Sequence, residues 1–243
     1  MHLNYKFIAQ DSLSSTEIQE MFALMQDSYE HINYADFLAD LRRKEFVGLL
    51  YTDQGQIAGF TTFVVREFTN PDPFDVLFSG DTIIGNSFRG TQELIRGVGR
   101  SFGTYLGRSQ SKNKRLYWLL TTKGHRTYLY LPLFFKSYYP GQTDEHASYY
   151  KEKLDHVCSG LFPNSWKPDQ GLLIHNGTAS RLNSTEATAT HQRHKNPHVD
   201  FFLRKNPGFH QGTELACMAE ISVENIISFG KKYVLHGMEN PLC

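Results

Sequence analysis

The run Gly80–Gly107, GDTIIGNSFRGTQELIRGVGRSFGTYLG, constrains this chain more than any other part of it. It reads as a strand ending at Ile83-Ile84, a tight polar turn Asn86-Ser87-Phe88-Arg89-Gly90, and a helix opening at about Thr91. A helix that follows a strand so closely aims its unpaired N–H groups, and the positive end of its dipole, into the turn. Such a turn seats a phosphate. Arg89 adds a forked cation, and Gly90 lets the backbone approach a ligand. An ordinary βα turn has the same outline, so the surrounding elements have to decide between the two.

Those elements read in order. Tyr5–Ala9 alternates as a strand. Ser14, Ser15 or Thr16 caps an amphipathic helix with Ile18, Met21, Phe22, Met25 and Tyr29 on one face. A second helix spans Tyr34–Lys44. FVGLLYT and IAGFTTFVV flank the turn DQGQ, a hairpin signature. After the loop Asn70-Pro71-Asp72-Pro73 come the strand Phe74–Ile84, the turn and its helix, a strand Arg115–Thr122, and the apolar segment Tyr128–Tyr139. The order is β-α-α-β-β-β-α-β-α.

On this order, and on Ile84, Phe88, Arg89 and Gly90 in the turn, the chain resembles the GNAT acyltransferase superfamily over roughly Tyr5–Pro140. The resemblance implies an α/β fold: a mixed, mostly antiparallel central sheet flanked by helices, here with C-terminal helical insertions. It implies a single domain over 1–243, with a core over 1–140 and a helical insert plus the final strands over 141–243. It also implies transfer of an acyl group from a thioester to an amine by direct attack. No cofactor is then permanently bound, and the donor is acyl-CoA or an acyl-phosphopantetheine on an acyl carrier protein. The donor site falls on Ile83, Ile84, Arg89, Gly90, Thr91 and Gln92, with Lys123 and Arg126 after the next strand meeting the phosphate arm.

Gln92 and Leu94 stand where the family has glycine. Side chains there narrow the seat for a pyrophosphate, and a carrier protein's single phosphodiester asks less of it. Gly99, Gly103 and Gly107 share one face of the helix, which serves either close packing or room for an acyl chain. The aromatic run Leu116–Pro140 serves either a core or an acyl tunnel. Together these features favour a medium or long acyl chain.

Acylation of an amine needs a base, a proton donor for the departing thiolate, and N–H groups that polarise the carbonyl. The family pattern places a carboxylate on the strand before the turn and a tyrosine on the helix after the next strand. Asp81 fits the first role, where Gly80 permits a bulge, and Asp75 is the other choice. Tyr128 fits the second, with Tyr130 next and His125 as an alternative base. The acceptor is the amine of an amino acid or peptide. Two other readings stay open: a small-acyl, CoA-dependent N-acetyltransferase, and a GNAT-fold module that binds a ligand or carrier protein without catalysis.

In the last hundred residues Thr143–Phe162 reads as a helix and Gly171–His175 and Glu214–Ile221 as the two closing strands. Gly177–His191 reads as a Ser/Thr/Ala-rich loop, Pro197–Lys205 and Val223–Phe229 as short helices. The spacing of His191, His194 and His198 suggests a metal, but Pro197 interrupts it and no Cys or Glu completes a set, so no metal is expected.

Composition excludes several classes. Formal net charge is zero over 243 residues, so no global field gathers nucleic acid. The start, MHLNYKFIAQ, is not a secretory signal, and no stretch approaches the ~20 apolar residues of a membrane span. Cys158, Cys217 and Cys243 are widely spaced and odd in number, which points to reduced thiols and a cytoplasmic setting. The glycosylation patterns at Asn176 and Asn183 are read as chance. The chain carries no GKS/T loop, GxSxG elbow, CxxC pair or internal repeat.

Overall fold

The computed structural model describes residues 2–69, 72–142, 147–175 and 179–242. Asn70 and Pro71 of the Pro/Asp loop, the start of the helix expected from Thr143, the Asn176 pattern and Cys243 lie outside the described residues. The chain divides into two compact units. The first is Met1–Asp27, Asn33–Tyr117 and Ile221–Cys243, and the second is Ser28–Ile32 with Trp118–Glu220. The division falls inside the strand Arg115–Thr122, whereas the sequence reading puts the end of the core near residue 140.

The first unit holds β1 (Leu3–Ala9), α1 (Ser15–Gln26), α2 (Tyr34–Leu41), β3 (Phe46–Thr52), β4 (Ile57–Phe68), β5 (Phe74–Ile84), α3 (Glu93–Ser111) and α9 (Ser228–Glu239). Ser14 is the cap of α1. Its side chain accepts from Glu17 N–H while the Glu17 carboxylate accepts from Ser14 N–H, so two orphan donors are satisfied at once. Strands β1, β3, β4 and β5 pair antiparallel in that order. The β3–β4 hairpin turns at Asp53–Gln56, as its sequence predicts, with Thr52 N–H donating to Gln56 O at 2.9 Å. Phe63 meets Tyr105 of α3 on one face of β4 and Phe60 meets Phe37 of α2 on the other, and each fully buried side chain of this kind stabilises the fold by roughly 1.5–3 kcal/mol.

The helix α9 is longer than expected and starts later, at Ser228 rather than Val223. It explains part of the glycine stripe of α3. A Cβ at Gly103 would overlap the Val234 carbonyl, and one at Gly237 would overlap the Arg100 carbonyl, so the two backbones touch through paired glycines. The Thr104 hydroxyl, with one proton to share between Arg100 O at 3.2 Å and Gly237 O at 3.3 Å, accepts from Leu242 N–H at 3.1 Å. At Gly103 the stripe is thus a helix-packing device rather than room for an acyl chain.

The second unit holds β2 (Tyr29–Glu30), most of β6 (Arg115–Thr122), α4 (His125–Tyr128), α5 (Tyr130–Phe134), α6 (Ala147–Leu161), β7 (Trp166–Lys167), β8 (Leu172–Leu173), β9 (Arg181–Leu182), α7 (Ser184–Gln192), α8 (Pro197–Lys205) and β10 (Glu214–Glu220). Its larger set of strands runs β6, β10, β8, β7, so the last strand in the chain enters between two earlier ones. β2 and β9 pair as a separate antiparallel ribbon.

Two expectations are corrected here. The apolar segment after β6 is two short helices, with Leu129 between them, and the second ends where Phe135 leaves the helical region at φ −119° and ψ 142°. The stretch read as a loop from Gly177, whose first two residues lie outside the described residues, contains β9 and α7. Asn183 caps α7 through Glu186 N–H, and Glu186 is buried against Arg126. The core of this unit gathers Tyr128 against Phe201 and Phe202, with ring centroids 6.2 and 5.7 Å apart.

The molecule is therefore a mixed α/β fold with mostly antiparallel strands flanked by helices. Among the described residues no helix is long and apolar enough to cross a membrane.

Candidate functional site

Strand β5 delivers the chain to the turn. Opposite β4 its register jumps from Phe63↔Ser79 to Thr61↔Thr82, so Gly80 and Asp81 together face Thr62. This is a bulge at the place where the sequence allows one, and it re-aims the half-buried Asp81. Asp75, the other carboxylate of β5, has a structural role. It is 2 % exposed, accepts from Ser109 Oγ at 2.7 Å and pairs with Lys114 at 3.2 Å.

Beyond Ile83 and Ile84 the backbone is pinned by Gly85 N–H donating to Ala58 O at 2.9 Å. Asn86–Phe88 then form one 3₁₀ turn, Arg89 is extended, and Gly90 has φ +89°. A Cβ on Gly90 would meet nothing within 4 Å, so the glycine is required by the backbone and the space before it is open. Arg89 is exposed in this turn, and its guanidinium, lowered by partial burial, remains charged at any ordinary pH.

Helix α3 begins at Glu93, two residues later than the sequence suggests, and no side chain caps its N-cap residue Gln92. Glu93 N–H is taken by Thr91 Oγ1 at 3.3 Å. The first helical bond runs from Arg96 N–H to Gln92 O at 2.9 Å, which leaves the N–H groups of Leu94 and Ile95 without an acceptor inside the helix.

The expected narrowing of this seat does not follow from the structure. Leu94 is 0 % exposed and turns into the core, while Gln92 bonds back along the helix to Arg96 Nη2 at 3.0 Å. Ile83, Ile84, Arg89, Gly90, Thr91 and Gln92 thus form one continuous strand-end and turn, open in front of Gly90.

The second group of predicted residues lies along 123–128 in the other unit. Lys123 is engaged by Glu214 Oε1 at 3.3 Å and Ser180 Oγ at 2.7 Å. Arg126 pairs with the buried Glu186. His125 is fully buried at the start of α4; burial, then the charges of Arg126 and Arg193, push its imidazole down to about 4. Tyr128 is also fully buried, and its hydroxyl donates to Pro140 O at 2.9 Å. Burial raises its phenol far above the usual range. Tyr130 is half-buried on α5 and is raised by burial too.

The histidines of the suspected metal pattern are spent on local contacts. His194 Nδ1 lies 3.0 Å from the His191 carbonyl, the His191 ring packs on Phe209, and His198 Nδ1 is 3.4 Å from the Tyr138 hydroxyl. No group of three or more His, Cys, Asp or Glu among the described residues is placed to hold a metal.

No family model matches the chain, and no curated protein does. Solved structures do resemble it. One is a probable N-acyltransferase from Enterococcus faecalis V583, with 12 % identity, 57 % of this chain and 33 % of that chain covered, and a TM-score of 0.42. A second is a GNAT family N-acetyltransferase from Escherichia coli in complex with CoA, at 16 % identity, 49 % and 63 % coverage, and a TM-score of 0.35. A third is a predicted acetyltransferase with acetyl-CoA from Clostridium acetobutylicum, at 11 % identity, 60 % and 93 % coverage, and a TM-score of 0.40. The chain spans a third of the length of the first and under two thirds of the second.

Proposed function

We propose that this chain is an acyltransferase that moves an acyl group from a CoA-type thioester to an amine. The observation that carries the reading is the β5–α3 turn. It combines a helix N-terminus whose Leu94 and Ile95 N–H groups have no acceptor inside the helix, open space before Gly90 and the exposed cation of Arg89, directly after a strand bulge that holds Asp81. Charge on a donor's phosphates would be met by the N–H groups and Arg89, and Asp81 would take the proton of the attacking amine. Tyr128 is a poor thiolate donor, because its proton is committed to Pro140 O.

The finer parts of the reading concern the acyl chain, its carrier and the acceptor. The aromatic run supports a medium or long chain only through half-buried Tyr130, Leu133 and Tyr138, since Tyr128, Phe134 and Phe135 are spent on the core. With Leu94 turned inward, coenzyme A and a carrier protein's phosphopantetheine are equally served by the turn. The acceptor is the amine of an amino acid or peptide. A cytoplasmic setting belongs to the same proposal and is supported by Cys158 and Cys217, both buried free thiols.

Thiol release tests the reading, with acetyl-CoA, palmitoyl-CoA and acyl carrier proteins as donors against a broad amine panel. Amine-dependent release with any of them supports it. Donor binding without release under every pairing would return the chain to a non-catalytic binding module.

A further inference from the structure

In the second unit Ser165, His175 and Glu214 are hydrogen-bonded in series. Ser165 Oγ is 3.1 Å from His175 Nδ1, and His175 Nε2 is 3.1 Å from Glu214 Oε1. They come from three places in the chain: the turn before β7, the residue two past β8, and the first residue of β10. Backbone pairing holds them together. Glu214 faces Leu173 across the β8–β10 ladder, and Ile174 N–H donates to Ser165 O at 2.9 Å.

The order of the contacts defines the proton positions. Burial disfavours a charge on Glu214, but Lys123, with hydrogen bonds from His175 and Thr121, outweighs it and holds the carboxyl well below its usual range. A carboxylate only accepts, so His175 Nε2–H donates to it. With Nε2–H given to Glu214, Nδ1 is the ring nitrogen that faces the Ser165 hydroxyl and can accept its proton. This is the arrangement in which a histidine activates a serine. The His175 side chain is 32 % exposed and Ser165 is half-buried, so the pair is reachable. The next residue, Trp166, is 6 % exposed, and its Nε1–H has no hydrogen-bond partner.

We propose that Ser165, His175 and Glu214 form a second reaction centre, built from the second unit alone, in which Ser165 takes an acyl or phosphonyl group from an activated ester. The Ser165 oxygen attacks the carbonyl carbon and its proton passes to His175 Nδ1. The new Oγ–C bond forms, the bond to the leaving group breaks, and the leaving group departs with the proton held on Nδ1. Water then repeats the steps, releasing the acid and restoring the serine. Glu214 balances the imidazolium throughout. Nothing in this step uses the β5–α3 turn, so it stands or falls apart from the transferase reading.

The test is to incubate the intact protein with a fluorophosphonate probe and map the adduct by peptide mass spectrometry. In that reaction an Oγ–P bond forms, the P–F bond breaks and fluoride leaves. The expected result is an adduct on Ser165, absent in Ser165→Ala and formed at least about 100-fold more slowly in His175→Gln, with circular dichroism confirming each fold. Wild type unfolded in urea should lose the labelling, which serves where a variant does not fold. No adduct on the folded wild type, an adduct elsewhere only, or an unchanged Ser165 rate in folded His175→Gln or in unfolded wild type overturns the proposal.

Discussion

His125 Nδ1 lies 2.9 Å from the Thr190 hydroxyl, and that hydroxyl donates onward to the Glu186 carbonyl at 3.0 Å. Thr190 has one proton to give, so its oxygen accepts from His125 Nδ1–H. Burial and the charges of Arg126 and Arg193 hold the ring neutral, and Nε2 is buried without a partner. Protonating it would place a charge in the core beside Arg126 and Arg193.

A pH dependence of stability follows from that relationship. Burial, then the charges of Arg126 and Arg193, hold the folded imidazole at about 4, below its ordinary value of 6.5. Between those values the unfolded chain binds more protons, so stability rises with pH there. The contribution is fully present above pH 6.5, is lost as pH falls toward about 4, and amounts to up to about 3 kcal/mol. Urea unfolding of wild type and His125→Gln at several pH values should show their difference changing across this window. A difference constant from pH 7 to 4 contradicts the assignment.

The α3–α9 contact predicts opposite outcomes for two similar substitutions. Gly103→Ala places a methyl against the Val234 carbonyl and should destabilise the protein by roughly 1–3 kcal/mol. Gly107→Ala in the same helix meets nothing within 4 Å and should be neutral or stabilising by up to ~1 kcal/mol. Equilibrium unfolding of the two variants separates packing from helix propensity, and equal losses would refute the paired-glycine contact.

The turn predicts a third effect. Gly90→Ala forces a side chain into φ +89° and should cost about 1 kcal/mol or more of stability or of donor affinity. Since the space before Gly90 is open, the loss arises from the backbone alone. Gly90→Asn, which tolerates that region better, should recover part of it. Alanine and asparagine variants with identical donor affinity and stability would be inconsistent with this.

Tyr128 and Asp81 separate by role. Tyr128→Phe removes the bond to Pro140 O and should lower stability by about 1 kcal/mol while sparing kcat in the folded protein. Asp81→Asn should lower kcat by roughly tenfold or more with little change in stability. Steady-state thiol release with thermal melts distinguishes the outcomes. Full turnover in Asp81→Asn would remove this residue from the mechanism.

Much of the fold was legible because local signals agreed. The β3–β4 hairpin carried its turn residues, α8 carried Pro197 at its first turn after the Asn196 cap, and the ends of β5 coincide with those read from its pattern. The helices α7 and α9 were not legible to the same degree. The polar face of α7 is held by Glu186 against Arg126, sixty positions earlier in the chain, and no local pattern reports that pair. The turn Gly85–Gln92 was visible as a turn, but the direction of Leu94 was not, since burial depends on the packed core. The series Ser165–His175–Glu214 had no signature at all. Its members are separated by ten and thirty-nine positions and meet only through β8 and β10.

The most direct test of the account is calorimetric titration of coenzyme A into wild type and Arg89→Ala. The account predicts a saturable single site in the wild type and affinity at least tenfold weaker in a folded Arg89→Ala, a loss of about 1.4 kcal/mol or more. Binding that is indifferent to Arg89, or no binding of coenzyme A, acyl-CoA or acylated carrier protein to the wild type, would contradict it.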